Sequence, residues 1–180
     1  MKAGLKTILL SVLGTFAAFS AVTFNSCNND KCKAIVCSYG GVCKEGTCIC
    51  QSGYEGPQCE TVIRDRYLGT WAVRETGSFT NSAIYTLSIE GGDNMTEVII
   101  HNIYNKLKVK GNINRDTLLI PQQNINNYII QGRGVLQKTG TYGQNGVITM
   151  RYSVYDPVAG LTDEFGMTEN HGSSPSEWSR

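Results

Sequence analysis

The sequence predicts a mainly β protein: a small disulfide-rich module followed by an antiparallel β-meander that closes into a barrel of about eight strands. Two observations support this fold class. All seven cysteines lie between Cys27 and Cys59, so covalent cross-links are confined to one short region. The cysteine-free remainder alternates apolar and polar residues in runs that end at turn residues, and it shows no sustained helical periodicity.

Residues 1–26 have the layout of a secretory signal peptide. Lys2 and Lys6 form a short cationic start, and a long uncharged apolar run follows them. An uncleaved transmembrane anchor is the alternative interpretation, because this run is close to the lower length limit for crossing a bilayer. The chain turns polar at Cys27 without a cluster of basic residues, which favours cleavage before that cysteine.

The odd number of cysteines is explained if Cys27 carries a lipid. Six cysteines then remain for disulfides, and a thiol alkylated by diacylglycerol needs no partner. The segment Phe24-Asn25-Ser26-Cys27 resembles the lipobox of Bacteroidetes lipoproteins. The resemblance implies a lipidated, palmitate-bearing N-terminus at residues 27–31 that anchors the protein in the outer membrane. The sequence leaves open whether the protein faces the periplasm or the cell surface.

The remaining cysteines have the spacing C-x4-C-x5-C-x4-C-x-C-x8-C from Cys32 to Cys59. In an exported chain this density predicts a disulfide framework, although spacing alone leaves several pairings open. Cys48 and Cys50 face the same way in an extended strand, so each can reach a different partner. Because few apolar residues are available for a core, the cross-links must supply most of the stability of this module.

Two motifs in this region, C-x2-G-G-x-C at 37–43 and C-x-C-x2-G-Y-x-G-x2-C-E at 48–60, resemble those of EGF-like domains. The resemblance covers residues 32–60 and implies the disulfides Cys32–Cys43, Cys37–Cys48 and Cys50–Cys59. A zinc site is disfavoured, because an exported chain favours disulfides and no histidine lies nearby. The short segment between Cys43 and Cys48 disfavours calcium as well, so no metal is expected.

After a linker at residues 61–66, alternating runs predict a barrel domain over residues 67–171 and a tail over 172–180. The predicted strands are 68–76, 85–89, 97–103, 107–110, 118–120, 128–137, 148–154 and 161–169. Pro121 is expected to stop the fifth of these strands. Gly132 and Gly134 predict a bend or bulge in the sixth, and Asn145-Gly146 predicts a tight hairpin turn.

The opening Gly69-Thr70-Trp71 resembles the Gly-x-Trp motif of lipocalins and their calycin relatives, and the whole stretch is similar to the lipocalin-like domains of Bacteroidetes lipoproteins. The resemblance implies that Gly69 and Trp71 close one end of a β-barrel. The sequence differs from lipocalins in being shorter and in lacking the later Thr-Asp-Tyr motif. It also offers no assignable arginine to stack on Trp71. Such a barrel is filled by its own side chains or holds one small ligand.

The sequence offers no convincing catalytic apparatus. His101 and His171 are the only histidines, and both are interpreted as structural or solvated residues. Asp163 and Glu164 are adjacent, so on a strand they point to opposite faces and make a poor catalytic pair. Glycine-rich phosphate loops, nucleophile elbows and His-Glu-x-x-His motifs are missing. The protein is therefore predicted not to be an enzyme, and no cofactor is expected.

Charge adds three smaller interpretations. The 16 basic and 15 acidic residues nearly balance, which argues against nucleic-acid binding. Lys106, Lys108 and Lys110 form a stripe on one strand face, which either solubilises the barrel wall or contacts an anionic glycan or membrane. Asp116-Thr117-Leu118 matches the short motif that Bacteroidetes glycosylate on exported proteins, so Thr117 is a candidate O-glycosylation site.

Two functions fit these observations. The first is a membrane-anchored, non-enzymatic lipoprotein that presents a binding surface to a protein or glycan on an EGF-like pedestal. The second is a calycin-type carrier that holds a small apolar ligand inside the barrel.

Overall fold

The computed structural model describes residues 31–137, 146–168 and 173–180. The predicted signal peptide, Cys27, Asn145 and His171 lie outside these ranges. Within the ranges, no helix is long and apolar enough to cross a membrane. The helical segment described is one 3-10 turn, Ile63–Arg66, which leads into the barrel.

The N-terminal module is built from two small antiparallel pairs of strands. The first pair is β1 (Val42–Lys44) with β2 (Thr47–Ile49). The second pair is β3 (Tyr54–Glu55) with β4 (Thr61–Val62). Because these strands bury little, the cross-links between them hold the module together.

Three disulfides connect these strands and the segments around them. They join Cys32 to Cys43, Cys37 to Cys48 and Cys50 to Cys59. This is the pairing that the EGF resemblance implied, and it is confirmed. Disulfides of this kind typically stabilise a small domain by about 2–5 kcal/mol each.

The rest of the chain forms one antiparallel sheet that closes on itself. Its strands are β5 (Gly69–Thr76), β6 (Ala83–Gly91), β7 (Glu97–Ile103), β8 (Leu107–Asn114), β9 (Thr117–Ile125), β10 (Tyr128–Gln137), β11 (Val147–Asp156), β12 (Leu161–Phe165) and β13 (Ser174–Ser179). Neighbours in sequence pair from β5 to β11, and β13 pairs with both β11 and β5. Eight strands therefore close a barrel, while β12 adds to the wall beside β11.

The structure corrects the C-terminal boundary of the barrel. The sequence-based interpretation used 161–169 as the last strand and treated 172–180 as a tail, yet β13 closes the barrel. One edge of β11 pairs first with β13, over Val147–Met150, and then with β12, over Tyr152–Asp156. Ser174–Ser179 has one large apolar residue among its six, so its alternation is too weak to recognise in the sequence.

Pro121 does not end a strand as predicted, because β9 continues through it to Ile125. Ile120 pairs with Gly132 and Gln123 with Ile130, so β9 has one residue more than β10 over this stretch. Proline is tolerated at such a bulge because a ladder hydrogen bond is interrupted there anyway. An irregularity is therefore present opposite Gly132, but its extra residue belongs to β9 and not to the strand in which the bulge was predicted.

The barrel interior is filled by its own side chains. The largest fully buried ones include Trp71, Trp178, Tyr152 and Phe165, and the rings of Tyr152 and Phe165 stack with centroids 4.3 Å apart. The residues of this core are between 0 and 6% exposed. A cavity large enough for a ligand would leave the side chains that line it accessible to a water molecule. These core side chains are almost inaccessible, so no cavity of ligand size lies beside them in the described part of the barrel.

Trp71 is fully buried near the start of β5, and the closing role that the Gly-x-Trp resemblance implied for it stays a prediction. Its indole N–H donates to the carbonyl of Tyr67 at 2.8 Å, and Gly69 reaches a φ of +113° just before it. The guanidinium of Arg180 lies over the indole, 4.5 Å from its ring centre, and donates to the carbonyl oxygens of Leu68 and Arg66. The expectation that no arginine stacks on Trp71 is therefore wrong.

Candidate functional site

The EGF-like module is attached to the end of the barrel where β5 begins, here called the near end. Arg66 lies between the two parts, and its guanidinium is 3.1 Å from the carboxylate of Glu55 and 2.8 Å from that of Asp116. Its side chain is 16% exposed, so these ion pairs are screened less than surface pairs. Arg64 adds hydrogen bonds to carbonyl oxygens of the β6–β7 turn.

A cleft of about 580 Å³ lies between the module and the near end. Its polar lining comes from Gln51, Ser52, Glu55, Asn114, Arg115 and Asp116. The cleft is open to solvent, and the Arg66 ion pairs hold its two walls together. Thr117, the candidate glycosylation site, begins β9 directly after Asp116 and is half-buried. Its modification stays a prediction.

The opposite, or far, end of the barrel holds a buried polar network. Glu75 is buried there and accepts hydrogen bonds from the hydroxyls of Tyr85 at 2.9 Å, Tyr152 at 2.9 Å and Ser176 at 2.6 Å. The indole N–H of Trp178 donates to the same Ser176 hydroxyl. Burial raises the pKa of Glu75 above its ordinary value of 4.5, although these three hydrogen bonds oppose the shift.

A second buried carboxylate, Asp163, fixes the loop between β5 and β6. It accepts the backbone N–H of Phe79 at 2.9 Å and that of Thr80 at 3.4 Å. The hydroxyls of Thr80, Ser78 and Tyr104 donate to it as well. The loop is therefore tied to β12 by one carboxylate that is almost completely buried.

Phe79 itself remains 62% exposed. Leu161 and Val158, on the β11–β12 hairpin to which the loop is bound, are exposed too. The far end thus presents large apolar side chains on a loop whose backbone is held in place. Loops that a rigid scaffold positions in this way are the usual carriers of binding function, and clustered exposed apolar side chains mark interaction sites.

Aromatic rings form another part of the far rim. The ammonium of Lys106 lies 4.1 Å from the centre of the Tyr128 ring and 4.9 Å from that of Tyr104, and it donates to the Tyr128 hydroxyl. Lys110 is paired with Asp93 and Glu97. Two members of the predicted lysine stripe are therefore engaged within the protein, which leaves less free charge for an anionic partner.

The other candidates from the sequence are found on separate surfaces. His101 lies on the outer wall, where its Nε2 is 3.1 Å from the carboxylate of Glu90. Asp163 and Glu164 do point to opposite faces. Sequence reasoning missed Glu75, because its partners come from strands up to 101 residues away. In the described part of the chain, no group of three or more histidine, cysteine or acidic residues is placed to hold a metal ion.

Comparison with known proteins supports the N-terminal assignment. A family model described as a Teneurin-like EGF domain matches residues 35–62, which contain all but the first of the paired cysteines. No solved structure matches the chain. The molecule therefore combines an EGF-like domain with a closed eight-stranded barrel.

Glu75 is expected to make the stability of the barrel depend on pH. Because the pKa of this carboxyl is raised in the folded state, its protonated form favours folding. That contribution is complete below the ordinary pKa of 4.5 and is lost as the pH rises through the folded pKa. Urea unfolding from about pH 4 to about pH 7 should therefore show wild type losing stability relative to Glu75→Gln. Parallel pH profiles of the two proteins would contradict this account.

Proposed function

We propose that this chain is a non-enzymatic, outer-membrane lipoprotein that presents the far end of its barrel to a binding partner. The observation that carries the proposal is Phe79, an exposed ring on a loop that the buried carboxylate of Asp163 holds in place. An exposed aromatic ring lowers the solubility of a protein. A ring that is nevertheless held at the surface supports a role in contacting another molecule. Leu161 and Val158, on the β11–β12 hairpin, are exposed as well.

The order of the parts along the chain supports this orientation. The proposed anchor, Cys27, comes just before the EGF-like module, and the module is attached to the near end of the barrel. β5 leads from Gly69 at the near end towards the Phe79 loop, over a length of about 26 Å before strand tilt is considered. The far end is therefore the part of the barrel most distant from the anchor.

The chemistry of the far end favours a protein partner over a glycan. Phe79, Leu161 and Val158 offer apolar surface with few hydrogen-bonding groups, whereas saccharides present mainly hydroxyls. The carrier alternative has less support, because the described core residues leave no ligand-sized space beside them.

A photo-crosslinking amino acid at position 79 tests the proposal in the native host. We expect position 79 to give a discrete covalent adduct with a protein on intact cells. Position 119 is the matched control, since Leu119 is 46% exposed and lies two residues after the near-end start of β9. Equal labelling at both positions, or no adduct at position 79, would count against a recognition surface at the far end.

The anchor requires its own test. Replacing Cys27 by serine should abolish incorporation of labelled palmitate and release the protein from the membrane fraction. The three disulfides should form as before, because none of them uses Cys27. Continued labelling of the serine variant would overturn the assignment of this cysteine.

A further inference from the structure

The hairpin of β1 and β2 has an apolar face that no described residue covers. Val42 and Ile49 are directly opposite each other across the two strands and are 66% and 55% exposed. Lys44 is two residues beyond Val42 on the same strand and so shares this face, while Cys43 and Cys48 point the other way, towards the disulfides. A cross-strand apolar pair normally stabilises a sheet by being buried, so its exposure here needs an explanation.

This hairpin is the part of the module that lies nearest the proposed anchor. Cys43 of β1 is bonded to Cys32, the first cysteine of the module, with 5.8 Å between their Cα atoms. Lys31, one residue earlier, forms an ion pair of 2.9 Å with Glu45 in the turn of the hairpin. The chain therefore enters the module alongside this turn.

The tether between Cys27 and the module is short. Residues 28–31 separate Cys27 from Cys32, and even fully extended they span at most about 18 Å. The barrel is attached elsewhere on the module, through the β3–β4 region and Arg66. A lipid on Cys27 thus keeps the β1–β2 hairpin close to the membrane surface, although Ile49 also lines the cleft that faces the near end of the barrel.

We propose that the face formed by Val42, Ile49 and Lys44 rests on the lipid surface that holds the anchor. The inference relies on the lipid anchor of the proposed function and adds a second, protein-mediated contact to it. Apolar side chains gain free energy at the boundary between headgroups and acyl chains, and a neighbouring lysine is attracted to lipid phosphates. The exposed pair is then covered by lipid, and the module is held in one orientation instead of rotating about its tether.

Tryptophan fluorescence can detect this contact. The native Trp71 and Trp178 are fully buried, so an added surface tryptophan is the one that responds to a bilayer. Suitable variants are Val42→Trp and Ile49→Trp, with Ile84→Trp on the barrel wall as the matched control. All three positions are exposed, so the substitutions leave the core unchanged.

The experiment uses the mature chain from Cys27, coupled through the Cys27 thiol to a maleimide lipid. The other six cysteines are paired in disulfides, which directs the coupling to this thiol. The vesicles contain phosphatidylethanolamine and phosphatidylglycerol, with and without spin-labelled lipids that quench tryptophan near the headgroups. Chemical coupling provides the tether whether or not the cell lipidates Cys27, so the result is independent of palmitate labelling.

On coupling, the emission of Val42→Trp and Ile49→Trp should shift to shorter wavelength and be quenched by the spin-labelled lipids. The emission of Ile84→Trp should stay at its solution wavelength without quenching. If the coupled protein floats with the vesicles while positions 42 and 49 keep their solution spectra, the proposed membrane contact is wrong. Absence of palmitate labelling at Cys27 in the host would instead remove the anchor, and with it the biological setting of this contact.

Discussion

Replacement of Trp71 by alanine is expected to lower the free energy of unfolding by about 3–5 kcal/mol. The indole is fully buried at the near end, donates to the carbonyl of Tyr67 and supports the guanidinium of Arg180. Its removal leaves a large cavity and also deprives Arg180 of the surface on which it stacks. Urea denaturation followed by far-ultraviolet circular dichroism measures the loss.

Phe79→Ala is a suitable control for this prediction, because it removes an aromatic ring that is largely exposed. We expect it to change the stability by no more than about 0.5 kcal/mol. If the two alanine variants lose similar amounts, the indole of Trp71 does not fill the core as described. Arg180→Ala should give a smaller loss than Trp71→Ala, because its removal opens no cavity in the core.

Replacement of Asp163 by alanine is expected to lower the free energy of unfolding by about 3 kcal/mol and to release the β5–β6 loop. The carboxylate accepts the backbone N–H groups of Phe79 and Thr80 and the hydroxyl of Tyr104. Alanine leaves these donors without an acceptor in a buried place. Hydrogen exchange should therefore accelerate at the amides of Phe79 and Thr80, and crosslinking from position 79 should be lost.

Asp163→Asn is the matched variant, since its amide oxygen still accepts hydrogen bonds while the charge is removed. It should keep part of the protection at Phe79 and part of the crosslinking. The amides around Trp71 should accelerate by no more than the loss of global stability requires, because they lie at the other end of the barrel. If loop protection persists in Asp163→Ala, the carboxylate does not position Phe79, and the proposed recognition surface loses its main support.

The contrast between the two modules shows how far local patterns determine a fold. The EGF-like module was recognised because its cysteine spacing and its Gly-Tyr-x-Gly turn together resemble that family, whereas spacing alone left several disulfide pairings open. Strand alternation was sufficient for most of the barrel, from β5 to β11, because each of these strands buries one face. The same signal failed at β13, where serine, proline and glutamate dilute the pattern around Trp178.

The functional residues depended more strongly on the tertiary structure. Asp163 looked like half of an unproductive acidic pair, and nothing near it in sequence indicated that it binds a loop more than 80 residues earlier. Glu75 shares a strand face with Trp71 and Val73, so alternation indicated its burial, but nothing in the sequence indicated its partners. Buried polar networks are recognisable when the strands that supply their donors are brought together.

The sequence by itself was enough for the class of fold and, through the resemblance to EGF-like domains, for the disulfide pairing, because both depend on residues close together in the chain. Which strand closes the barrel, which arginine covers Trp71 and which carboxylate holds Phe79 in place were decided by the tertiary structure alone. These features arise from pairings between distant segments, here Ser174–Ser179 with β5, Arg180 with Trp71 and Asp163 with Phe79. The alternation of apolar and polar residues within a strand does not carry that information. It shows which face of the strand is buried but not which segment packs against that face.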